Sequence, residues 1–140
     1  MMKSELYIDV RYYETDQMGI VHHSNYIRYF ECGRSDFMVK AGLPVPVIEQ
    51  AGVTLPVVKV ESRYKFPAKM GDRLRIVSMV TKPPMAKLEI ESKIYNQDNI
   101  LLCEGTVVIG FLDAKKGMPI RCPEKLREIL LKGISENLSV

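Results

Sequence analysis

The sequence predicts an α+β fold, an antiparallel sheet of about five strands wrapped around one long central helix, with a further helix at the C-terminus. Three observations lead there. Alternating apolar and polar residues, the mark of half-buried strands, recur at 6–13, 57–66, 73–81 and 87–95, followed by an apolar run at 100–112. The stretch from about 24 to 41 is instead apolar around much of a helical circumference. Pro67 with Gly71-Asp72, then Pro83-Pro84, then residues 96–99 divide the last four strands by short turns.

Taken in order, the first strand sets Leu6, Ile8, Val10 and Tyr12 against Tyr7, Asp9, Arg11 and Tyr13. Ser24 or Asn25 suits the N-cap of the long helix, and Gly42 with Leu43-Pro44 stops it near Ala41. Its residues Tyr26, Ile27, Tyr29, Phe30, Phe37, Met38 and Ala41 cover more than a narrow stripe, so other structure wraps it. Gly33 marks a place where backbone or ligand comes close. Residues 44–56 connect onward with room for one helical turn. The cleanest alternation puts Leu88, Ile90, Ser92 and Ile94 on one face and Lys87, Glu89, Glu91 and Lys93 on the other. The apolar run at 100–112 reads as a strand covered on both sides. Pro123 suits the first position of a last helix carrying Leu126, Ile129, Leu130 and Ile134. The four later strands read as successive hairpins. One helix cannot cover both faces of such a sheet, so the edge strand and doubly apolar segments predict a second copy continuing the sheet.

Composition sets bounds on the function. A chain of 140 residues holds one domain, 1–140, with a single sizeable core. A hydrophobic fraction of 46% with 26% charged residues is that of an ordinary globular protein. The net charge of +3 comes from scattered Lys and Arg, too mild for a nucleic-acid partner but suited to a polyphosphorylated small molecule. Three cysteines, Cys32, Cys103 and Cys122, lack metal-type spacing and point to a reducing compartment. No apolar run is long enough for a signal peptide or a membrane span, so a cytoplasmic protein is expected.

The chemistry concentrates between Tyr12 and Arg34, where a loop carries Asp16, Gly19, Ile20, Val21, His22 and His23 just before the helix start. A helix N-terminus has N–H groups without intrahelical partners and suits an anion or a developing oxyanion. His22 and His23 are adjacent, so their side chains diverge, and neither His-x-His nor His-x-x-x-His spacing occurs; no metal is expected. Cys32 sits mid-helix, where a cysteine is a small hydrophobe rather than a nucleophile. Glu31 is placed to pair with Arg34 or Arg28.

The stretch R-Y-Y-E-T-D-Q-M-G-I-V-H-H-S-N-Y-I-R-Y-F-E-C-G-R, Arg11 to Arg34, resembles the signature of hotdog-fold acyl-CoA thioesterases of the 4-hydroxybenzoyl-CoA thioesterase and YbgC type. A second stretch, Y-K-F-P-A-K-M-G-D-R-L from Tyr64 to Leu74, is similar to that family's turn between two long strands. The resemblance implies an oligomer, a dimer or a tetramer of hotdog dimers, that hydrolyses a coenzyme A thioester with no metal or bound cofactor. It places the catalytic aspartate on Asp16 and a catalytic partner on His23, with Gly19, Val21, Tyr26 and Glu31 on the substrate side. His22 stands where an aromatic residue is usual, Met18 is bulkier than the common small residue, and Glu14 replaces a frequent aspartate; all three bear on the acyl group accepted.

A thioester expels a thiolate, so one carboxylate and an oxyanion site can suffice. Asp16 is expected to attack the carbonyl or to activate water, while N–H groups around His23 to Asn25 polarise the carbonyl. Arg63 and Lys65 are the candidates for coenzyme A phosphates, although outward strand charges are ordinarily a solvated face. Three other readings stay open: an acyl carrier protein thioesterase, a hotdog hydratase or dehydratase, and an acyl-CoA-binding module without catalysis.

Overall fold

The structure is a computed structural model that describes residues 1–140. In chain order it comprises β1 (Met2–Asp9), α1 (Ser24–Lys40), α2 (Val45–Gln50), β2 (Val53–Thr54), β3 (Val57–Tyr64), β4 (Arg73–Val80), β5 (Lys87–Tyr95), β6 (Leu101–Gly110), β7 (Leu112–Asp113) and α3 (Glu124–Ser135). Five strands form one antiparallel sheet in the order β1-β4-β5-β6-β3, with α1 packed into it. Tyr26, Tyr29, Phe30, Gly33, Phe37 and Met38 follow a three- and four-residue spacing and form the buried face of α1. They meet Leu74, Ile76, Leu88, Ile90, Ile94, Val107 and Ile109 in a single core. Burial of each large side chain contributes about 1.5–3 kcal/mol.

The seat of α1 is explained by a row of small residues. Strand registers align Ser4, Ser78, Ser92, Gly105 and Ser62 straight across the sheet. Into this shallow row the helix drops so closely that a Cβ on Gly33 would lie 2.6 Å from Ser78 Oγ and 2.7 Å from Ile76 Cγ2. A Cβ on Gly105 would meet the Phe30 ring at 2.8 Å. The close approach expected at Gly33 is therefore by backbone, helix against sheet.

Four expectations need correction. The first strand starts at Met2 and stops at Asp9, opposite the start of β4 at Arg73; Val10 N–H still reaches Asp72 O at 2.9 Å, and Tyr12–Glu14 then turns away as a 3-10 turn. The later strands are not all successive hairpins: β3 pairs with β6 and lies at the far edge, and the eight-residue link 65–72 carries the chain across to β4. The N-cap of α1 is His23, with Ser24 and Asn25 already helical, and the reason lies in the site below. Pro123 is the N-cap of α3, whose first helical residue is Glu124. The two-residue pairing of β2 with β7 is too short to leave a periodic signal in the sequence.

The two sheet edges differ. The outer edge of β1 is partly occupied by the C-terminal tail, since Lys3 N–H donates to Leu138 O at 3.1 Å and Val140 N–H to Lys3 O at 2.8 Å. The outer edge of β3 is open, and Val57, Val58, Tyr64 and the following Phe66 are exposed there. No helix is long and apolar enough to cross a membrane.

Candidate active site

Asp16 opens a small hairpin. Thr15 bridges Val21, Asp16 N–H donates to Ile20 O at 2.9 Å, and Gly19 N–H returns to Asp16 O at 3.0 Å. Gly19 closes the turn at φ +76°, a left-handed conformation that favours glycine. Asp16 Oδ1 accepts the Met18 N–H at 2.8 Å, which fixes the side chain; Oδ2 bonds to nothing in the chain. The hairpin is stitched to the segment before β4: Val21 N–H donates to Ala68 O at 2.8 Å and Met70 N–H to Gly19 O at 3.3 Å. Tyr26, buried, locks the same segment by accepting the Ala68 N–H at 3.0 Å on its hydroxyl.

At the head of α1 nearly every donor is used. His22 N–H donates to Glu14 O at 2.9 Å, Ser24 N–H to His22 Nδ1 at 3.2 Å, Asn25 N–H to His22 O at 3.0 Å and Tyr26 N–H to His23 O at 3.3 Å. The His22 ring thus performs the capping that a Ser or Asn side chain would provide, which moves the N-cap to His23. The His23 N–H alone in this run has no partner. Of the N–H groups from His23 to Asn25, where the sequence leads one to expect free donors, those of Ser24 and Asn25 are bonded and only that of His23 has no partner in the chain.

Asp16, Val21, His23, Tyr26 and Lys65 line one cleft of about 370 Å³, together with Ile20, His22, Tyr64, Phe66 and Pro67. Its aromatic wall is edge-on, with Tyr64 5.3 Å from Tyr26 and 6.4 Å from His23 between ring centres. Beneath it Glu14, buried, accepts from Arg11 N–H at 2.9 Å and from Arg11 Nη2 at 2.7 Å. Burial pushes the Glu14 carboxyl up, but the hydrogen bonds from Arg11 outweigh it and hold the group below the ordinary carboxylate range. Burial raises the hydroxyl of Tyr26, keeping it protonated, and pushes the Cys103 thiol up to about 12.

Three expected site residues lie outside the cleft. Gly19 shapes the turn that presents Asp16; Glu31 pairs with Arg34 on α1; Arg63 sits on the charged outer sheet face beside Glu61, Lys93 and Glu104. The cleft also contains Tyr64 and Phe66, which carried a strand-face signal in the sequence but none for the site. Asn25, buried, sends its side chain to the Glu14 carbonyl at 2.9 Å, a contact across eleven residues with no sequence signal.

A family model described as the thioesterase-like superfamily matches residues 10–130. The chain belongs to the thioesterase-like superfamily. YneP of Bacillus subtilis, assigned by name to the acyl-CoA thioesterases, is 33% identical over 121 residues, covering 86% of this chain and 88% of its own. The DHNA-CoA thioesterase of Staphylococcus aureus superposes with a TM-score of 0.92 at 25% identity, over 100% of this chain and 99% of that one. The hypothetical protein TT1821 of Thermus thermophilus superposes at 0.86 with 33% identity, over 92% and 98%. This superfamily member has the hotdog architecture that the Arg11–Arg34 stretch implied.

Proposed function

We propose that this thioesterase-like chain hydrolyses acyl-CoA, with water cleaving the C–S bond to give a free carboxylic acid and coenzyme A thiol. One observation carries the reading: Asp16, whose carboxylate has an uncommitted oxygen, and His23, whose N–H at the helix head is uncommitted, line the same cleft. Asp16 attacks the thioester carbonyl to form a mixed anhydride, or takes the proton of an attacking water. His23 N–H stabilises the oxyanion, a kind of donor whose removal typically lowers turnover by about 100- to 1,000-fold. The His23 ring orients water or thioester, Val21 and Tyr26 contact the acyl side, and Lys65 attracts the phosphates of coenzyme A. The names of YneP and of the Staphylococcus aureus thioesterase support the substrate class.

The open β3 edge, flanked by exposed Val58 and Phe66, supports self-association with a second copy beside the cleft. Light scattering at micromolar concentration reads it directly; a monomer refutes it.

The test of the reaction is thiol release by wild type and Asp16→Asn from benzoyl-type, dihydroxynaphthoyl and straight-chain acyl-CoAs, with acyl carrier protein thioesters alongside. Wild-type turnover that falls at least about 100-fold in kcat in Asp16→Asn, with KM little changed, is expected. Equal turnover by both proteins removes Asp16 from the mechanism. Saturable binding without thiol release by either assigns the fold to binding instead.

A further inference from the structure

We infer that Asn25 is a positioning residue that aims the His23 N–H, an inference that rests on the thioester-hydrolase reading. Asn25 lies in the first turn of α1, is buried, and does not line the cleft. A buried side-chain amide demands partners. Its Nδ2 donates at 2.9 Å to the carbonyl of Glu14, the same oxygen that accepts the His22 N–H at 2.9 Å. The backbone N–H of Asn25 meanwhile holds His22 O at 3.0 Å. One residue therefore secures both flanks of His22.

The consequence follows from peptide geometry. His22 C=O and His23 N–H belong to one planar trans unit, in which carbonyl and N–H point in opposite directions. The bond from Asn25 N–H points His22 C=O along the helix toward its C-terminus, so the His23 N–H points out of the N-terminal end, and from His22 to Tyr26 it is the one backbone donor without a partner in the chain. The His22 ring removes the competing donor by accepting the Ser24 N–H.

The other end of the anchor matters equally. Glu14 is two residues from Asp16, and its carboxylate is gripped twice by Arg11. Asn25 thus ties the oxyanion donor to the segment that carries the carboxylate, and the separation of the two reacting groups is set through one carbonyl oxygen. Small misplacements of such groups are costly in rate. If the Asn25 side chain is lost, the His22 N–H still satisfies the Glu14 carbonyl and the residue-25 N–H still holds His22 O, so folding survives, while the Glu14 carbonyl loses its second donor and the peptide unit hung on it gains freedom.

The experiment compares Asn25→Ala and the isosteric Asn25→Asp, which lacks the donor, with wild type, Asp16→Asn and a control on the far helix, Ile129→Ala. Each is measured for kcat, KM and thermal midpoint, at a temperature where it is folded. Both Asn25 variants are expected to lose about 30- to 300-fold in kcat with KM within about threefold, whereas Ile129→Ala loses midpoint and keeps kcat. Turnover within threefold of wild type in either folded Asn25 variant overturns the inference. So does a loss that appears in KM alone, or an equal loss in Ile129→Ala. Wild type without turnover removes the underlying reading instead, and this role with it; turnover lost in Asp16→Asn but kept in Asn25→Ala overturns Asn25 alone. Hydrogen exchange on wild type decides the case if neither variant folds: slow Asn25 side-chain hydrogens and a fast His23 amide are expected, and fast Asn25 hydrogens refute the anchor.

Discussion

Replacing Gly33 by Ala sets two opposed effects against each other within one methyl group. In an isolated helix the change is favourable by about 1 kcal/mol, through propensity and the entropy of the unfolded chain. Here the new Cβ meets Ser78 Oγ at 2.6 Å and Ile76 Cγ2 at 2.7 Å. Serine relieves its contact by rotating, but Ile76 is β-branched, stiff at χ1 and fully buried. Carbon atoms are at ease near 3.5–4.0 Å, so helix or strand must yield by about 1 Å. Overpacking of this kind costs about 1–3 kcal/mol, and with the propensity gain subtracted the middle of that range leaves a net loss of about 1 kcal/mol. Urea denaturation should show a lower midpoint at unchanged m. The cycle with Ile76→Ala should show coupling, because removing Cγ2 abolishes the clash and the double variant is less destabilised than the sum of the singles. An unchanged or raised midpoint in Gly33→Ala would refute the close seat of α1 on the serine row.

Two further outcomes test the frame of the site. Tyr26→Phe leaves the Ala68 N–H buried and without its acceptor, so denaturation should register a loss of about 1–3 kcal/mol; a neutral result would mean that the hydroxyl does not hold this segment. Glu14 titrates in the fold below the ordinary glutamate value of about 4.3, so its contribution is present above that value and is lost as pH falls through the lowered one. Glu14→Gln should therefore lose less stability than wild type between about pH 5 and pH 3, and identical acid slopes would refute the grip of Arg11 on this carboxylate.

What the sequence revealed follows physical range. Periodicity is local, so β4, β5 and the α1 span are read almost to the residue: Lys87 to Tyr95 alternates because one face meets α1 and the other meets solvent. Pairing is not local. Nothing within residues 57–66 says that their partner is β6, and the crossing to the far edge depends on a link long enough to permit it. Capping failed for a similar reason. Ser24 and Asn25 are good N-caps by type, but the His22 ring does the capping and Asn25 is drawn away by a carbonyl eleven residues upstream. That Asp16 and the helix head lie close together was legible because both belong to one continuous stretch. Tyr64 and Phe66 reach the cleft only through tertiary placement.

Asp16 is exposed, yet its position is over-determined. The hairpin that carries it is tied to itself at Ile20, to Ala68 and Met70 across a short bridge, and through Glu14 to the head of α1. Apart from the Tyr26 hydroxyl and the Asn25 amide, these ties run through backbone groups, which exist whatever the side chain. Tyr26 apart, the placement of the Asp16 hairpin and the lining of the cleft are therefore held by different residues' side chains and backbone. The side chains of Ile20, Val21, Tyr64 and Phe66 line the cleft, but the ties that fix the carboxylate use none of them. Changes at those four positions can reshape the cleft while Asp16 and the His23 N–H stay where they are. Under the proposed mechanism, a backbone frame with exchangeable walls is a means for one hotdog scaffold to serve different acyl groups, with specificity set by side chains that the placement of Asp16 and the His23 N–H does not require.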